Sequence, residues 1–246
     1  MAARIDEIAD GIFRISTHVA AINPPAGFTF NQFLIKAVEP LLFHCGHRRM
    51  FPEIAAAVAR ITPLGRLRWL SFSHVEADEC GALENWLAAA PHAVPAHTAV
   101  GCRIWVGDRS DKPPRALRDD EAIDLGGKRV RHLSTPHLPH GWDAGLLYEE
   151  TTATLFCSDL FAHGGDGPVI TASDILGPAI AAEEQSRSMS LTAATAPMLR
   201  RLAGLAPRTL ALMHGPSYAG DGVAALEGLA QHCERKLKAA VIENEG

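Results

Sequence analysis

Long apolar runs are missing from this sequence, and their absence excludes a helical membrane span. No stretch of the 246 residues approaches the ~18 consecutive apolar residues that such a span needs. The first residues, MAARIDEIADGIF, carry acids and no apolar core, so we expect no secretory signal. Blocks of Lys and Arg are missing too, and the net charge is −5. We therefore expect neither nucleic acid nor an anionic membrane as the main partner.

Cysteine is scarce, and its spacing shows no pairs. The chain has five cysteines without a CxxC motif: Cys45, Cys80, Cys102, Cys157 and Cys233. An odd number of scattered cysteines is typical of reduced thiols in a reducing compartment. We therefore expect a cytoplasmic protein.

Apolar and charged residues are present in the proportions of a soluble globular protein. Hydrophobic residues make up 47% of the chain and charged residues 21%, which is enough to bury a sizeable core. We found no internal repeat, low-complexity segment or linker. These observations predict a single domain over residues 1–246.

The order of strand-like and helix-like segments predicts an α/β fold. Strand patterns occur in GIFRIST, on both sides of Pro40 in NQFLIKAVEPLLFHCG, and in RLRWLSF, GKRVRHLSTP, AGLLYEE, ATLFCSD and RTLALMH. Helical patterns occur in FPEIAAAVARI, ECGALENWLAAA, residues 172–204 and residues 222–245. Strands followed by helices, twice over, indicate two packed sheets with helices outside.

The segment SFSHVEADECG places His74, Glu76 and Asp78 at alternate positions directly after an apolar run. If the chain leaves the sheet in an extended conformation, these side chains project to one side and can surround two cations. The alternative is an exposed polar loop, with Asp78 as the N-cap of a helix that starts near Glu79. The segment alone leaves both interpretations open.

Three further strand-like segments end in polar residues of the same kinds. TPHLPHGWDAG offers His137 and His140. In ATLFCSDLF the apolar strand pattern ends at Asp159, and in TLALMHGPS it ends at His214. Functional residues concentrate in such strand-end loops. An Asp or His directly after a buried strand is costly unless it is paired or binds a metal. Together these segments favour a metal site.

These motifs, in this order, resemble the metallo-β-lactamase superfamily. Within this superfamily, they resemble the diiron domain of flavodiiron proteins and the shorter stand-alone oxygen-binding diiron proteins. The resemblance extends from NQFLIK to the last helix and implies a four-layer αββα sandwich with the metals at one sheet edge. By motif, it implies two groups of metal ligands that share one bridging residue. One iron would be bound by His74, Glu76 and His140, the other by Asp78 and His214, with Asp159 as the bridge.

The sequence departs from the family pattern at several positions. Hydrolases of the superfamily usually show HxHxDH, whereas here Glu76 and Glu79 stand at the second and last His positions. Flavodiiron proteins carry Glu at the first of these but usually His at the second. Glu79 is therefore expected behind the ligands or facing solvent. His44 replaces the usual aspartate after the early strand, and the spacing to Asp143 favours His140 over His137 as the ligand.

The ligand chemistry favours iron over zinc. Three carboxylates and three neutral imidazoles leave two divalent ions with a surplus of about one charge. Such mixed oxygen and nitrogen surroundings suit iron or manganese, whereas His-rich sites suit zinc. We therefore expect two non-haem irons, with zinc as the alternative metal.

The resemblance implies O₂ or NO as the ligand of the metal pair. Flavodiiron proteins draw electrons from a following flavodoxin-like domain, but no Gly-rich phosphate loop fit for FMN is visible here. We therefore expect either a reductase of O₂ or NO fed by an external electron-transfer protein, or an O₂ sensor with a signalling partner. The resemblance also implies a homodimer. The alternative function is a zinc- or iron-dependent hydrolase of an ester, thioester or lactone.

Overall fold

The protein is built from two mixed β-sheets with helices on their outer faces. The structure is a computed structural model that describes the backbone of residues 3–245 and the side chains of residues 3–240. The first sheet has seven strands in the order β1 (Arg4–Ala9), β2 (Ile12–Val19), β3 (Phe28–Ile35), β4 (Leu41–Phe43), β5 (Trp69–Ser71), β6 (Val94–Thr98) and β7 (Arg115–Leu117). The other seven strands are β8 (Ala122–Asp124), β9 (Arg129–Ser134), β10 (Gly145–Glu149), β11 (Thr154–Ser158), β12 (Ile170–Thr171), β13 (Thr209–Leu212) and β14 (Ser217–Tyr218). They form the second sheet in the order β12-β14-β13-β11-β10-β9-β8.

The helices fall into two groups that follow the two sheets along the chain. The first group is α1 (Phe51–Ala59), α2 (Ala77–Cys80), α3 (Leu83–Ala89), α4 (Ala99–Gly101) and α5 (Gly107–Arg109), with a π-helical turn at Cys102–Val106 between the last two. The second group is α6 (Leu176–Ser186), α7 (Thr195–Ala203) and α8 (Gly222–Glu245). Within the described backbone, no helix is both long and apolar enough to cross a membrane.

Three separate apolar clusters show that the fold has four layers. Alternate residues of a strand point to opposite faces, so Leu147 of β10 packs between the sheets while Leu146 packs against the second group of helices. Phe43 and Phe156 join the two sheets with ring centroids 5.5 Å apart. A third cluster, which includes Leu34, lies between the first sheet and its helices. The expected αββα sandwich is confirmed.

Hydrogen bonds between the sheets join them at one edge. Gly145 N donates to Ser73 O at 2.8 Å, across the two sheets. The buried Asn31 of β3 donates from its side-chain nitrogen to Leu212 O and Gly215 O, each at 2.8 Å. The loop after β5 is therefore joined to the start of β10, and β3 is joined to the end of β13 and the loop that follows it.

The predicted helical pattern over residues 172–204 is divided into two helices, α6 and α7, by residues 187–194. Arg187 adopts a left-handed conformation with φ of 51° and ends α6. Between the helices, Thr195 Oγ1 accepts from Thr192 N at 2.9 Å. Short hydroxyl side chains bond the backbone in this way and compete with a continuous helix. The short strands β1, β6, β7, β8, β12 and β14 were not predicted.

Candidate metal centre

The loop after β5 divides its three polar residues between two directions. Glu76 is extended, with φ −147° and ψ 159°, and it is the N-cap of α2, which begins at Ala77. Asp78 therefore lies in the first helical turn. The expectation that all three residues lie in an extended segment is wrong for Asp78, and the alternative of Asp78 as the N-cap is wrong too. The early helix start turns Asp78 away from Glu76 and towards the end of β13.

The first group of polar side chains consists of His74, Glu76, His140 and Asp159. One ligand atom from each lies within 4.8 Å of all the others. Glu76 Oε2 lies 2.9 Å from His74 Nε2 and 3.0 Å from His140 Nε2. Asp159 Oδ2 lies 3.5 Å and 3.4 Å from the same two nitrogens. Ligand atoms around one ion at ~2.1 Å are roughly 3.0–3.4 Å apart, so this group has the spacing of one coordination shell.

The second group consists of Asp78 and His214, and it shares Asp159 with the first. His214 Nε2 lies 3.3 Å from Asp78 Oδ2 and 3.1 Å from Asp159 Oδ1. Asp159 thus directs its Oδ2 to the first group and its Oδ1 to the second. A carboxylate with one oxygen on each side can bridge two cations.

Burial and neighbouring charges shift the pKa values of these groups. Burial disfavours the charged form of His74, but Glu76 and the other nearby carboxylates outweigh it and raise the pKa of His74 to about 9. Burial also disfavours the charged form of His214, but Asp159 and Asp78 outweigh this effect and raise the pKa of His214 to about 10. Contacts with His140 and His74 hold the pKa of Glu76 far below its usual value. Without a metal, the histidines carry the positive charge that offsets the carboxylates.

Loading this centre with metal at pH 7 should release about two or three protons per chain, because metals bind neutral imidazole. His74 and His214 are protonated at this pH, and contact with Glu76 raises the pKa of His140 as well. Metal affinity should therefore increase with pH up to roughly pH 9–10. Calorimetric titration in buffers with different ionisation enthalpies measures the release, and a value near zero would contradict this account of the site.

A buried carboxylate behind the centre joins the two loops that carry His74 and His140. Asp143 Oδ2 accepts from Val75 N at 2.9 Å and lies 3.1 Å from His97 Nε2. The spacing argument that favoured His140 used this aspartate, and His140 is the histidine that reaches the first group. His137 is exposed and has a left-handed backbone with φ of 67°.

Glu79, which departs from the family pattern, is buried rather than facing solvent. It contacts the Nδ1 atom of His44, which is also fully buried. His44 stands where the family usually has an aspartate, and Glu79 stands where the family usually has a histidine. These two exchanged residues meet in the structure, so the two departures form one compensated pair.

Several side chains around the centre were not found from the sequence. Ser73, Ser158 and Thr29 hydrogen-bond candidate ligands or Glu79, and His97 contacts Asp143. Serine and threonine carry no charge pattern, so only the spatial contact identifies them. The adjacency of Ser73 to His74 and of Ser158 to Asp159 was the one signal available.

A large cavity opens onto the centre. It has a volume of about 1020 Å³ and reaches Glu76, Asp78, His140, Asp159 and His214. Its remaining walls come mainly from α6, α8 and the loop after β11. Among the candidate ligands, His74 is the one outside the cavity lining.

Curated relatives of the chain are flavoproteins. A putative diflavin flavoprotein A 1 from Nostoc is 28% identical over 207 residues, which cover 77% of this chain and 34% of the relative. An anaerobic nitric oxide reductase flavorubredoxin from Salmonella arizonae is 23% identical over 141 residues, 56% of this chain and 29% of the relative. The chain thus spans about a third of the length of these relatives.

Solved structures with the same fold include flavodiiron proteins. A flavo di-iron protein mutant from Thermotoga maritima superposes with a TM-score of 0.81 at 19% identity, over 94% of this chain and 61% of that one. The rubredoxin oxygen:oxidoreductase of Desulfovibrio gigas gives a TM-score of 0.80 at 17% identity, over 94% and 62%. A family model described as "ODP family beta lactamase" matches residues 28–215, most of the chain. The chain belongs to this family, a metallo-β-lactamase-type family with flavodiiron relatives.

Proposed function

We propose that the chain holds two iron ions and reduces O₂ or NO with electrons from a separate donor protein. His74, Glu76 and His140 would bind one iron, Asp78 and His214 the other, and Asp159 both. Two irons supply the redox chemistry, since together they can bind a diatomic gas and pass electrons to it. The names of the relatives support both gases, nitric oxide in one and oxygen in another.

The single observation that carries this proposal is the orientation of Asp159. Its two oxygens face the two groups separately, at 3.4 Å from His140 on one side and 3.1 Å from His214 on the other. A site for one metal ion would not need a carboxylate whose two oxygens face two different groups of ligands. The donor set, three carboxylates and three imidazoles, suits iron.

The residues of the chain control which side of the centre a gas can reach. His74 and His214 are buried, whereas the side chain of Glu76 is 49% exposed and that of His140 is 26% exposed. Both partly exposed groups line the cavity, so access is from that side. The gas would first meet Glu76 and His140 on the cavity side of the centre.

Gas consumption under a continuous supply of electrons tests the function. Iron-loaded protein, kept reduced by a photoreduced flavin, should consume O₂ or NO through many turnovers, and Asp159→Ala should not. Consumption of a single equivalent would indicate a gas-binding sensor instead of a reductase. Iron-loaded protein that consumes neither gas would contradict the proposal.

The two ions should differ in how firmly they are held. The first would have four protein ligands and the second three, namely Asp78, His214 and the shared Asp159. Timed dialysis against a chelator should therefore remove metal in two phases of about one ion each. Asp78→Ala should eliminate the fast phase and leave the slow one. Loss of both ions in one phase would contradict this difference.

The cavity favours a second candidate function, hydrolysis of an organic substrate. A volume of about 1020 Å³ far exceeds what a diatomic gas needs and matches the upper range of small-molecule pockets. A zinc or iron ion held by the same residues would supply the Lewis-acid chemistry that hydrolysis of an ester, thioester or lactone needs. Ester hydrolysis by zinc-loaded protein, lost in Asp78→Ala, would support this candidate.

A further inference from the structure

The three candidate ligand histidines have different partners behind them. His214 Nδ1 lies 2.7 Å from the carbonyl oxygen of Thr29. His140 Nδ1 is buried and has no hydrogen-bond partner among the described residues. His74 Nδ1 lies 2.7 Å from Ser73 Oγ. Only the partner of His74 leads on to a charged group.

That charged group is Glu79, which is fully buried and surrounded by donors. Its Oε1 accepts from Ser73 Oγ at 3.0 Å and from Ser158 Oγ at 2.7 Å. Its Oε2 accepts from Ser73 N at 3.1 Å and contacts His44 Nδ1. Four donors thus face the two oxygens of Glu79, which favours its ionised form. Burial raises the pKa of Glu79, but the contacts with His44 and His74 together outweigh burial and lower it. Glu79 is thus an anion behind the centre.

The direction of the hydrogen bonds follows from which nitrogen of His74 faces the centre. Its Nε2 faces Glu76 and Asp159 and is the atom available to a metal. In a neutral imidazole, Nδ1 then carries the proton and donates to Ser73 Oγ. Ser73 in turn donates its own hydroxyl proton to Glu79 Oε1. A continuous chain of donors therefore leads from the metal face of His74 to a buried carboxylate.

We propose that Glu79 acts through Ser73 on His74 and makes the iron of the first group the more readily oxidised of the two. A carboxylate behind a ligating histidine fixes its tautomer and raises its basicity. Here the carboxylate is one hydroxyl away from the histidine. A more basic His74 donates more charge, which stabilises Fe³⁺ at the first group. His214 faces a neutral carbonyl instead of an anion, so its basicity is raised less and the second iron is stabilised less in the ferric state.

This proposal rests on the proposed diiron site, but the two residues that it adds, Glu79 and Ser73, would not touch a metal. Glu79 is a positioning residue whose side chain also joins the loop after β4, through His44, to the loop after β5. A purely structural role predicts lower thermal stability in variants without any change in redox behaviour. The reduction potentials of the two irons therefore separate the two roles.

Redox titration of iron-loaded Glu79→Gln, followed by electron paramagnetic resonance, tests the proposal. Glutamine keeps the shape and an acceptor oxygen but removes the charge, so the potential of one iron should increase. Glu149→Gln is the matched control, because Glu149 is equally buried but bonds only the turn at Thr151 and Thr152. Its two potentials should equal those of the unaltered protein.

Ser73→Ala provides a second variant in case Glu79→Gln does not fold. It removes the 2.7 Å link from His74 Nδ1 and leaves only the longer contact of that nitrogen with Ser158 Oγ at 3.5 Å. Glu79 keeps Ser158 and His44 as partners, and the variant should raise the same potential. Unchanged potentials in a variant that holds both irons would overturn the role of Glu79 and leave the diiron function intact. An unaltered protein that binds no iron would instead overturn the diiron function itself.

Discussion

Asp159→Ala is expected to lose at least one of the two irons while the fold survives. The negative charge of the carboxylate reduces the repulsion between the two cations. Without it, this repulsion is poorly compensated. Among the described side chains, the ion-pair partners of Asp159 are the candidate ligands His74, His140 and His214. Its removal should therefore affect the site and not the core. Elemental analysis should show a decrease from about two irons per chain to one or fewer.

Circular dichroism and two control variants complete this experiment. Asp159→Asn keeps the shape of the side chain, so a similar loss of iron would assign the effect to charge. Asp119→Ala removes a surface carboxylate that pairs with Arg201 at 2.9 Å and should leave the iron content unchanged. Retention of both irons in Asp159→Ala would mean that the bridge is elsewhere.

Glu76→His is expected to shift the site from iron towards zinc and to slow oxidation by O₂. The change exchanges an anionic oxygen for a neutral nitrogen and raises the formal charge of the first group by one. The ferric product is then less stabilised, so the reduced protein should react about tenfold more slowly or worse. Stopped-flow oxidation and the iron-to-zinc ratio after growth with both metals measure the two effects.

Glu76→Gln separates charge from ligand type in this experiment. It keeps an oxygen ligand and removes the charge, so it should slow oxidation without a strong preference for zinc. Glu84→Gln, at an exposed ion pair with Arg109, is the neutral control. If Glu76→His matched the unaltered protein in metal ratio and oxidation rate, Glu76 would not be a ligand.

Much of the candidate site could be predicted from the sequence because its residues follow strands. Asp159 directly follows β11 and His214 lies just past β13, where a polar residue after buried apolar ones is conspicuous. Neighbouring strands of one sheet then bring these residues to one edge. The αββα layers follow from the same alternation of strands and helices.

The surroundings of the ligands could not be predicted, because they depend on contacts between distant segments. His44 and Glu79 are 35 positions apart, and nothing in either local pattern indicates their contact. Each looked like a separate departure from the family. The same applies to Asn31, whose side chain reaches Leu212 from 181 positions away.

The start of α2 shows how local geometry changes the interpretation of a motif. Alternation in HVEAD predicts three side chains on one side of an extended segment. The helix begins at Ala77, so Asp78 turns towards His214 instead of joining Glu76. The motif is thus divided between two groups, as the resemblance implied, and the backbone conformation gives the physical reason.

The metal content of protein loaded with iron under anaerobic conditions, measured together with its Mössbauer spectrum, tests the central claim most directly. The account predicts about two irons per chain, magnetically coupled through a shared bridge after oxidation and with inequivalent surroundings. One zinc per chain with negligible iron, even after anaerobic loading, would contradict it.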